Sequence, residues 1–488
     1  MERDDRPRPE CNPFLLLHGR SWELPRGDLY AVLDQAEIDD EGNHRLMFSA
    51  VDAAWFDRLP DEEIAAAFQA RDYGPIFYAM PIYLLEIRLA TSCIRKIASQ
   101  SAQTLTAADQ EPLPGDLAPP DLPELLDDLE RRWKRFELGW DESRLAADLY
   151  PNLFAVPLAV RLSRVTEAGD AASARLNAVD PLGSEPDATV ADIEAALQGV
   201  AGAGAIDHVA VYDVGQGGAN ALVDQNGAVV VYFDFGGGVA GNTATFPTAL
   251  AQFCFCHNVD PAIVLSHWDH DHWSSEGRDT RAHWRTWIVP RQTVRRTKRG
   301  FHHSALIASI IAHGRLLVWP AATISVSAGP LTLLQCTGTS RNASGLAAEI
   351  GAPAGAQGRP VLLPADAGYG DLPSPPAAGA LDFINCPHHG GRSRSPTVPS
   401  RPAGADQRLA YSYGSGNSYK HPLSATCSAH DSVGWDDPRI GHSSFNYVRN
   451  TEDRAASGLG HIGFDWGAGN LPRALACSGA CQLKVEQT

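Results

Sequence analysis

The chain has 488 residues, 44% of them hydrophobic, and a formal net charge of −18. That length exceeds one ordinary core and implies two or three domains, while the apolar content excludes a chain disordered throughout. The acidic surplus excludes a general nucleic-acid-coating surface, and nine scattered cysteines with no CxxC pair fit a reducing compartment rather than a disulfide framework.

The N-terminus, Met1-Glu-Arg-Asp-Asp-Arg-Pro-Arg-Pro9, lacks the apolar core of a signal peptide. The most apolar window, Tyr78 to Ile94, contains Pro81, Glu86 and Arg88 and reads as a buried helix rather than a membrane span. A cytoplasmic protein that makes no membrane contact is expected. Residues 1–166 read as a mostly helical domain. Asp61-Glu-Glu63 opens a helix with the charge sign its N-terminus favours, and Leu122, Leu125, Leu126, Leu129, Trp133 and Phe136 recur at helical spacing. Nothing in this domain groups His, Cys or carboxylates in a chemically suggestive way, and its position suggests that it recruits a protein partner or controls access to a site. Residues 167–205, rich in Ala, Gly and Asp, read as a linker with a short amphipathic helix near Val190 to Leu197.

From His208 the texture changes to alternating β-rich segments, and residues 206–470 read as a second domain followed by a tail, 471–488. His208-Val-Ala-Val-Tyr212 is a strand. Ala221-Leu-Val223 and Val229-Val-Val-Tyr-Phe233 flank Asn226-Gly227, a hairpin signal because both turn residues tolerate positive φ.

The chemistry concentrates after the apolar run Pro261-Ala-Ile-Val-Leu265. His267, Asp269, Asp271 and His272 fall within six residues. A buried strand ending in such a loop aims several side chains at one point, and mixed imidazole and carboxylate suits zinc, manganese or iron better than calcium. Two later segments repeat the logic: Val361-Leu-Leu-Pro-Ala-Asp-Ala367 delivers Asp366, and Leu381-Asp-Phe-Ile-Asn-Cys-Pro-His-His-Gly-Gly391 delivers His388 and His389. A carboxylate such as Asp366 can bridge two cations.

In this order the motifs resemble the metallo-β-lactamase fold, in the branch found in the C-terminal domain of the DNA-uptake competence protein ComEC. The resemblance runs from Asp213-Val-Gly-Gln-Gly-Gly-Ala219 through Phe233-Asp-Phe-Gly-Gly-Gly238, the His267–His272 run, Arg341-Asn-Ala-Ser-Gly-Leu346, Asp366 and Pro387-His-His-Gly390. It closes at Ser412-Tyr-Gly-Ser-Gly-Asn-Ser-Tyr-Lys-His-Pro422. It implies an α/β fold: an αββα metallo-β-lactamase-like sandwich, here preceded by the mostly helical domain. It also implies two divalent metal ions, zinc or manganese. His267 and Asp269 would serve one; Asp271, His272 and His389 the other; Asp366 would bridge, and His388 would face the substrate. The broader fold has His where Asp269 stands and a further His near Asn342, so the first site is poorer in nitrogen. Gly218 replaces an acidic residue of the branch, and His270 is expected to point away from the metals.

Such a centre activates a hydroxide, with Asp271, His388 and His421 as the catalytic set, and serves several ester classes. Local charge narrows the choice. Arg278, Arg281, Arg285, Arg291, Arg295, Arg296, Lys298 and Arg299 stand against only Glu276 and Asp279, with Trp268, Trp273, Trp284 and Trp287 interleaved. Arginine forks onto phosphate and aromatic faces stack on unpaired bases. The expected substrate is a phosphodiester, foremost single-stranded DNA or another nucleic acid, with Arg295, Arg296, Arg299, Arg392 and Asn342 in contact with it. The alternatives are a small phosphodiester, such as a nucleotide messenger or a choline-phosphate ester, and a non-enzymatic scaffold or sensor.

Overall fold

The computed structural model describes residues 25, 27–38, 44–90, 93–110, 121–139, 141–202, 206–247, 255–257, 259–292, 299–352, 358–392, 397–402, 408–435, 448–452 and 461–466. The chain forms two compact units, Met1–Glu185 with Arg295–His313, and Pro186–Val294 with Gly314–Thr488.

The first unit is built on strands β1 (Leu29–Ile38), β2 (His44–Asp52), β3 (Ile82–Leu89), β4 (Gln103–Thr104), β5 (Lys134–Gly139), β6 (Leu145–Tyr150) and β7 (Leu158–Glu167). Six of them pair antiparallel in the closed order β1-β2-β3-β6-β7-β5, with β5 returning to β1 and β4 added alongside β7. Closure removes the free edges that an open sheet exposes. Side chains alternate between two cores. Leu29, Ala31 and Leu33 of β1 join Phe48, Leu85, Phe136, Leu149 and Leu162 in a cluster to which all six strands contribute, the barrel interior. Tyr30 and Val32 point the other way and pack with Phe56, Phe77, Trp133 and Phe301.

This overturns the expectation of a mostly helical first domain. Ile82 to Leu89, read as helix, is β3, with only Arg88 exposed. A strand covered on both faces loses the period-two alternation that would mark it, and a short apolar run then cannot be told from a helix. The helix at Leu122 stops at Leu129; Trp133 lies beyond it and Phe136 sits in β5. The helix opened by Asp61, Glu62 and Glu63 does form, over Asp61–Ala70. Among the described residues no helix is long and apolar enough to cross a membrane.

The second unit starts with the helix Val190–Ala196, closed by a capping box in which the Thr189 hydroxyl accepts from the Asp192 amide while the Asp192 carboxylate accepts from the Thr189 amide. Its sheets use β8 (Ile206–Val211), β9 (Ala219–Asp224), β10 (Val229–Phe235), β11 (Ala262–Val264), β12 (Thr286–Val289), β13 (Arg315–Val318), β14 (Ser325–Ala328), β15 (Leu331–Gln335), β16 (Leu346–Ile350), β17 (Val361–Leu363), β18 (Phe383–Asn385), β19 (Arg408–Tyr411), β20 (Val448–Asn450) and β21 (Ile462–Asp465). Two seven-stranded sheets result, β13-β12-β11-β10-β9-β8-β21 and β14-β15-β16-β17-β18-β19-β20. They share one core: Val209, Val231, Val264 and Ile288 of the first pack with Leu333, Ala348, Leu363 and Phe383 of the second. The hairpin at Asn226-Gly227 forms, but only Gly227 takes positive φ, 77°, and the Asp224 carboxylate holds the turn by accepting from the Asn226 and Ala228 amides.

An αββα sandwich is not what forms. Among the described residues of this unit the α-helices are Val190–Ala196, Gln198–Gly202 and Ser424–His430, each too short to be a covering layer. On the outer face of the first sheet the strand residues Tyr232, Phe235 and Trp287 and the loop residue Phe255 form an aromatic cluster centred on Phe235. On the second sheet Tyr369, Leu372 and Trp435 cover Leu362, Ile384 and Leu409. Among the described residues, side chains from the strands themselves and from adjacent turns exclude water on these faces.

The sheet order also positions the chemistry. β10, β11, β12 and β13 run parallel, as do β17, β18, β19 and β20. Parallel strands bring their carboxyl ends to one edge. His267 to His272 follow β11, Asp366 follows β17, His388 and His389 follow β18, and His421 follows β19.

Candidate metal centre

Each ligand-type side chain arrives on a constrained piece of backbone. After β11 the chain makes a 3₁₀ turn, His270–His272. The amides of Gly218 and Gly237 both donate to the Asp271 carbonyl, each at 3.0 Å, and pin that turn. A Cβ on Gly236 would fall onto the same carbonyl oxygen. The glycines of both motifs are therefore needed for close approach of two backbones. His388 and His389 are consecutive left-handed residues, φ 52° and 55°, so neighbouring imidazoles turn inward together. Left-handed non-glycine residues carry strain and cluster where function requires it.

Histidine Nε2 atoms and carboxylate oxygens converge. His272 Nε2 lies 3.0 Å from Asp366 Oδ1 and 3.1 Å from His389 Nε2. His389 Nε2 is 3.5 Å from Asp271 Oδ2 and 3.6 Å from Asp366 Oδ1. His267 Nε2 stands 3.5 Å from Asp366 Oδ2 and 3.4 Å from Asp269 Oδ2. All of these residues are buried. Two sets, His267/His272/Asp366 and Asp271/His272/His389, each bring three ligand atoms within 4.8 Å of one another.

The other ring nitrogens are already engaged. His272 Nδ1 meets Asp234 Oδ2 at 2.8 Å, and His389 Nδ1 meets the Ser412 carbonyl at 2.8 Å. Both partners accept only, so both Nδ1 atoms carry hydrogen. The facing Nε2 atoms then present lone pairs to each other unless a positive charge sits between them. His267 Nε2 and both oxygens of Asp271 are buried without a hydrogen-bond partner. Buried acceptors in that condition are costly unless a cation satisfies them. The buried His and Asp groups of this unit can hold a metal ion.

The electrostatics agree. Burial pushes the Asp271 carboxyl up to about 7, with Asp366 and Asp269 adding to the rise and His272 opposing it. Burial pushes His389 down to about 3, favouring the neutral, ligating imidazole. Burial also opposes charge on His272, yet Asp366 and Asp234 hold its imidazole well above the usual histidine range. The cluster draws positive charge, as a proton or as a divalent cation.

The remaining expected residues divide. His388 Nε2 lies 3.5 Å from Asp366 Oδ2, and the Asn342 amide is 3.4 Å from both. The His421 ring is 5.3 Å from that of His388, and its Nδ1 meets the Gln216 amide at 3.2 Å. Asp269 belongs to neither three-ligand set; its Oδ1 accepts from buried Arg341 at 3.3 Å. His270 packs on Trp273, ring centroids 5.1 Å apart. Arg392 is exposed. Arg299 belongs to the first unit, paired with Asp180. Arg295 and Arg296 lie outside the described residues.

The described arginines of the basic cluster already have partners within the protein. Arg278 is buried against the Phe246 ring and donates to the Gly238 carbonyl, and burial pushes its guanidinium down to about 9. Arg281 pairs with Asp279, Arg285 with Asp260, and Arg291 with Asp187. Trp268, Trp273 and Trp287 are core residues, and of the four tryptophans only Trp284, 60% exposed, offers a face to solvent.

The motifs alone do not reveal the residues behind the candidate ligands. Asp234 sits at a strand irregularity in β10 with φ 64°. Its carboxylate accepts from the Ser266 amide (2.7 Å) and hydroxyl (2.8 Å) as well as from His272. An acid flanked by Phe233 and Phe235 in a buried strand was its signal. Gln292 bridges loops by accepting from the Trp268 amide and donating to the Arg341 carbonyl. No protein-family model matches the chain, and no curated protein matches it.

Proposed function

We propose that the protein is a metal-dependent hydrolase of phosphodiesters, working at the centre formed by His267, Asp271, His272, Asp366 and His389. The observation that carries this reading is the meeting of buried Nε2 atoms whose Nδ1 partners are fixed, beside a buried acid with no hydrogen bond of its own. The resemblance of its motif order to the competence branch of the metallo-β-lactamase-related hydrolases supports it, as do the mixed nitrogen and oxygen donors, which suit zinc or manganese, with two ions as the full complement. When bound, such ions supply Lewis acidity that lowers the pKa of water and polarises a phosphoryl oxygen. His388 and Asn342 line the Asp366 Oδ2 side and would contact substrate oxygens. His421, oriented through Gln216, would donate a hydrogen bond to a phosphoryl oxygen.

Two substrate sizes are compatible with this chemistry. Exposed Arg392 and Trp284 suit a single-stranded nucleic acid. The pairing of Arg281, Arg285 and Arg291 with acids, and the burial of three tryptophans, favour a small phosphodiester. A cytoplasmic setting, and a partner-recruiting role for the first unit, belong to the same proposal.

Purified protein supplied with manganese or zinc should cleave a chromogenic phosphodiester, with single-stranded DNA, duplex DNA and RNA tested alongside it. Asp271→Ala and His272→Ala should each lower the rate at least about a hundredfold, the upper end of what losing even a supporting residue costs. Activity retained in both variants would refute the centre. Metal binding without turnover of any ester would leave a sensor or scaffold.

A further inference from the structure

We propose that Arg341 is a built-in counter-cation for Asp269, so that the centre holds one divalent ion tightly and a second only weakly. The inference deepens the metal-centre reading and rests on it. The two three-ligand sets share His272, whose Nδ1 is committed to Asp234. Only Nε2 remains, and one lone pair serves one ion. Asp271, His272 and His389, with Asp366 Oδ1 close by, make a complete nitrogen-and-oxygen shell for the first ion.

A second ion would rely on His267, Asp269 and Asp366 Oδ2. Asp269 is the only carboxylate of that set not shared with the first ion, and its Oδ1 faces the Arg341 guanidinium at 3.3 Å. Arg341 is 2% exposed. A paired arginine this deep cannot be displaced into water at low cost, and its charge acts through a low-dielectric interior. Its backbone is held as well: the Gln292 side-chain amide donates to the Arg341 carbonyl and to the Ser344 hydroxyl, while its oxygen accepts from the Trp268 amide, one residue before Asp269. The same glutamine therefore ties down both halves of the pair. A fixed positive charge on Asp269 reduces what that carboxylate can offer a dication.

Titration of metal-free, full-length protein with zinc, read by calorimetry and elemental analysis, tests this without reference to activity. The native chain should bind one zinc tightly and a second about tenfold or more weakly. Arg341→Met should strengthen the second event by about tenfold or more and leave the first unchanged. Arg341→Lys, which keeps the charge, should stay near the native value. Asp269→Asn should weaken the second event strongly in the Arg341→Met background and little in the native one, a non-additivity expected of a coupled pair. Two equally tight ions in the native chain would overturn the proposal, as would unchanged second-ion affinity in folded Arg341→Met. If Arg341→Met does not fold, Asp269→Asn alone decides: a large loss of second-ion affinity counts against the proposal and a small one supports it. No zinc binding at all would sink the whole centre, an outcome distinct from failure of the Arg341 role alone.

Discussion

Asp234 shows how much of the candidate metal centre lies behind the side chains that could bind the ion. Its left-handed backbone, φ 64°, turns a strand residue inward, where it holds His272 by Nδ1 and Ser266 by two hydrogen bonds. Asp234→Ala should lower zinc affinity roughly ten- to a hundredfold while leaving the circular dichroism spectrum unchanged. Unchanged affinity would mean that His272 is oriented by packing alone. Proton release provides a second test. The Asp271 carboxyl, pushed up to about 7 by burial, holds a proton below that pH that must leave before it can bind metal. Zinc affinity should therefore fall as pH drops through about 7, by about tenfold per unit for each proton displaced, with matching proton release in calorimetry across buffers. Affinity that is flat between about pH 6 and about pH 8 would contradict the assignment. The ligand types were legible because four of them crowd into His267–His272. The role of Asp234 was not, although its motif stood out, because its partners lie 32 and 38 positions along the chain.

At the scale of elements, the glycine motifs act as spacers against the ligand turn. Gly236→Ala places a methyl group on the Asp271 carbonyl. It should cost about 3 kcal/mol of stability, at the level of a backbone clash in a packed site, and reduce zinc affinity with it. Urea denaturation compared with zinc titration reads both effects, and a neutral substitution would show that the loops can part. Strand delivery of ligands was visible in the apolar runs before Asp366 and His388. The β3 strand was misread because its outward face is also covered: Ile82 packs in the outer cluster while Leu85 and Ile87 face the interior. Amphipathic alternation reports exposure, and a strand buried on both faces has little to report.

The whole molecule carries separate apolar cores, a barrel interior in the first unit and an intersheet core in the second. Leu85→Ala in the barrel should cost about 2–5 kcal/mol, since it removes a fully buried side chain from a closed interior. Zinc should instead stabilise the two-sheet unit by about 4 kcal/mol at a thousandfold excess over Kd, raising the melting temperature of its transition, and a chelator should reverse it. Calorimetry with and without metal separates the two. A barrel substitution that abolishes the zinc-dependent shift would show that the units unfold as one.

The sequence alone determined the chemistry on offer: which side chains can bind a cation, that they follow apolar strands, and that helices start at Asp61 and Val190 and a hairpin turns at Asn226-Gly227. Those properties depend on neighbours within a few positions. Tertiary structure decided the closed barrel, the ring-covered sheets, the neutralised arginines and the Asp269–Arg341 pair. Each of those depends on which distant segment covers a face or answers a charge, and local patterning does not encode that.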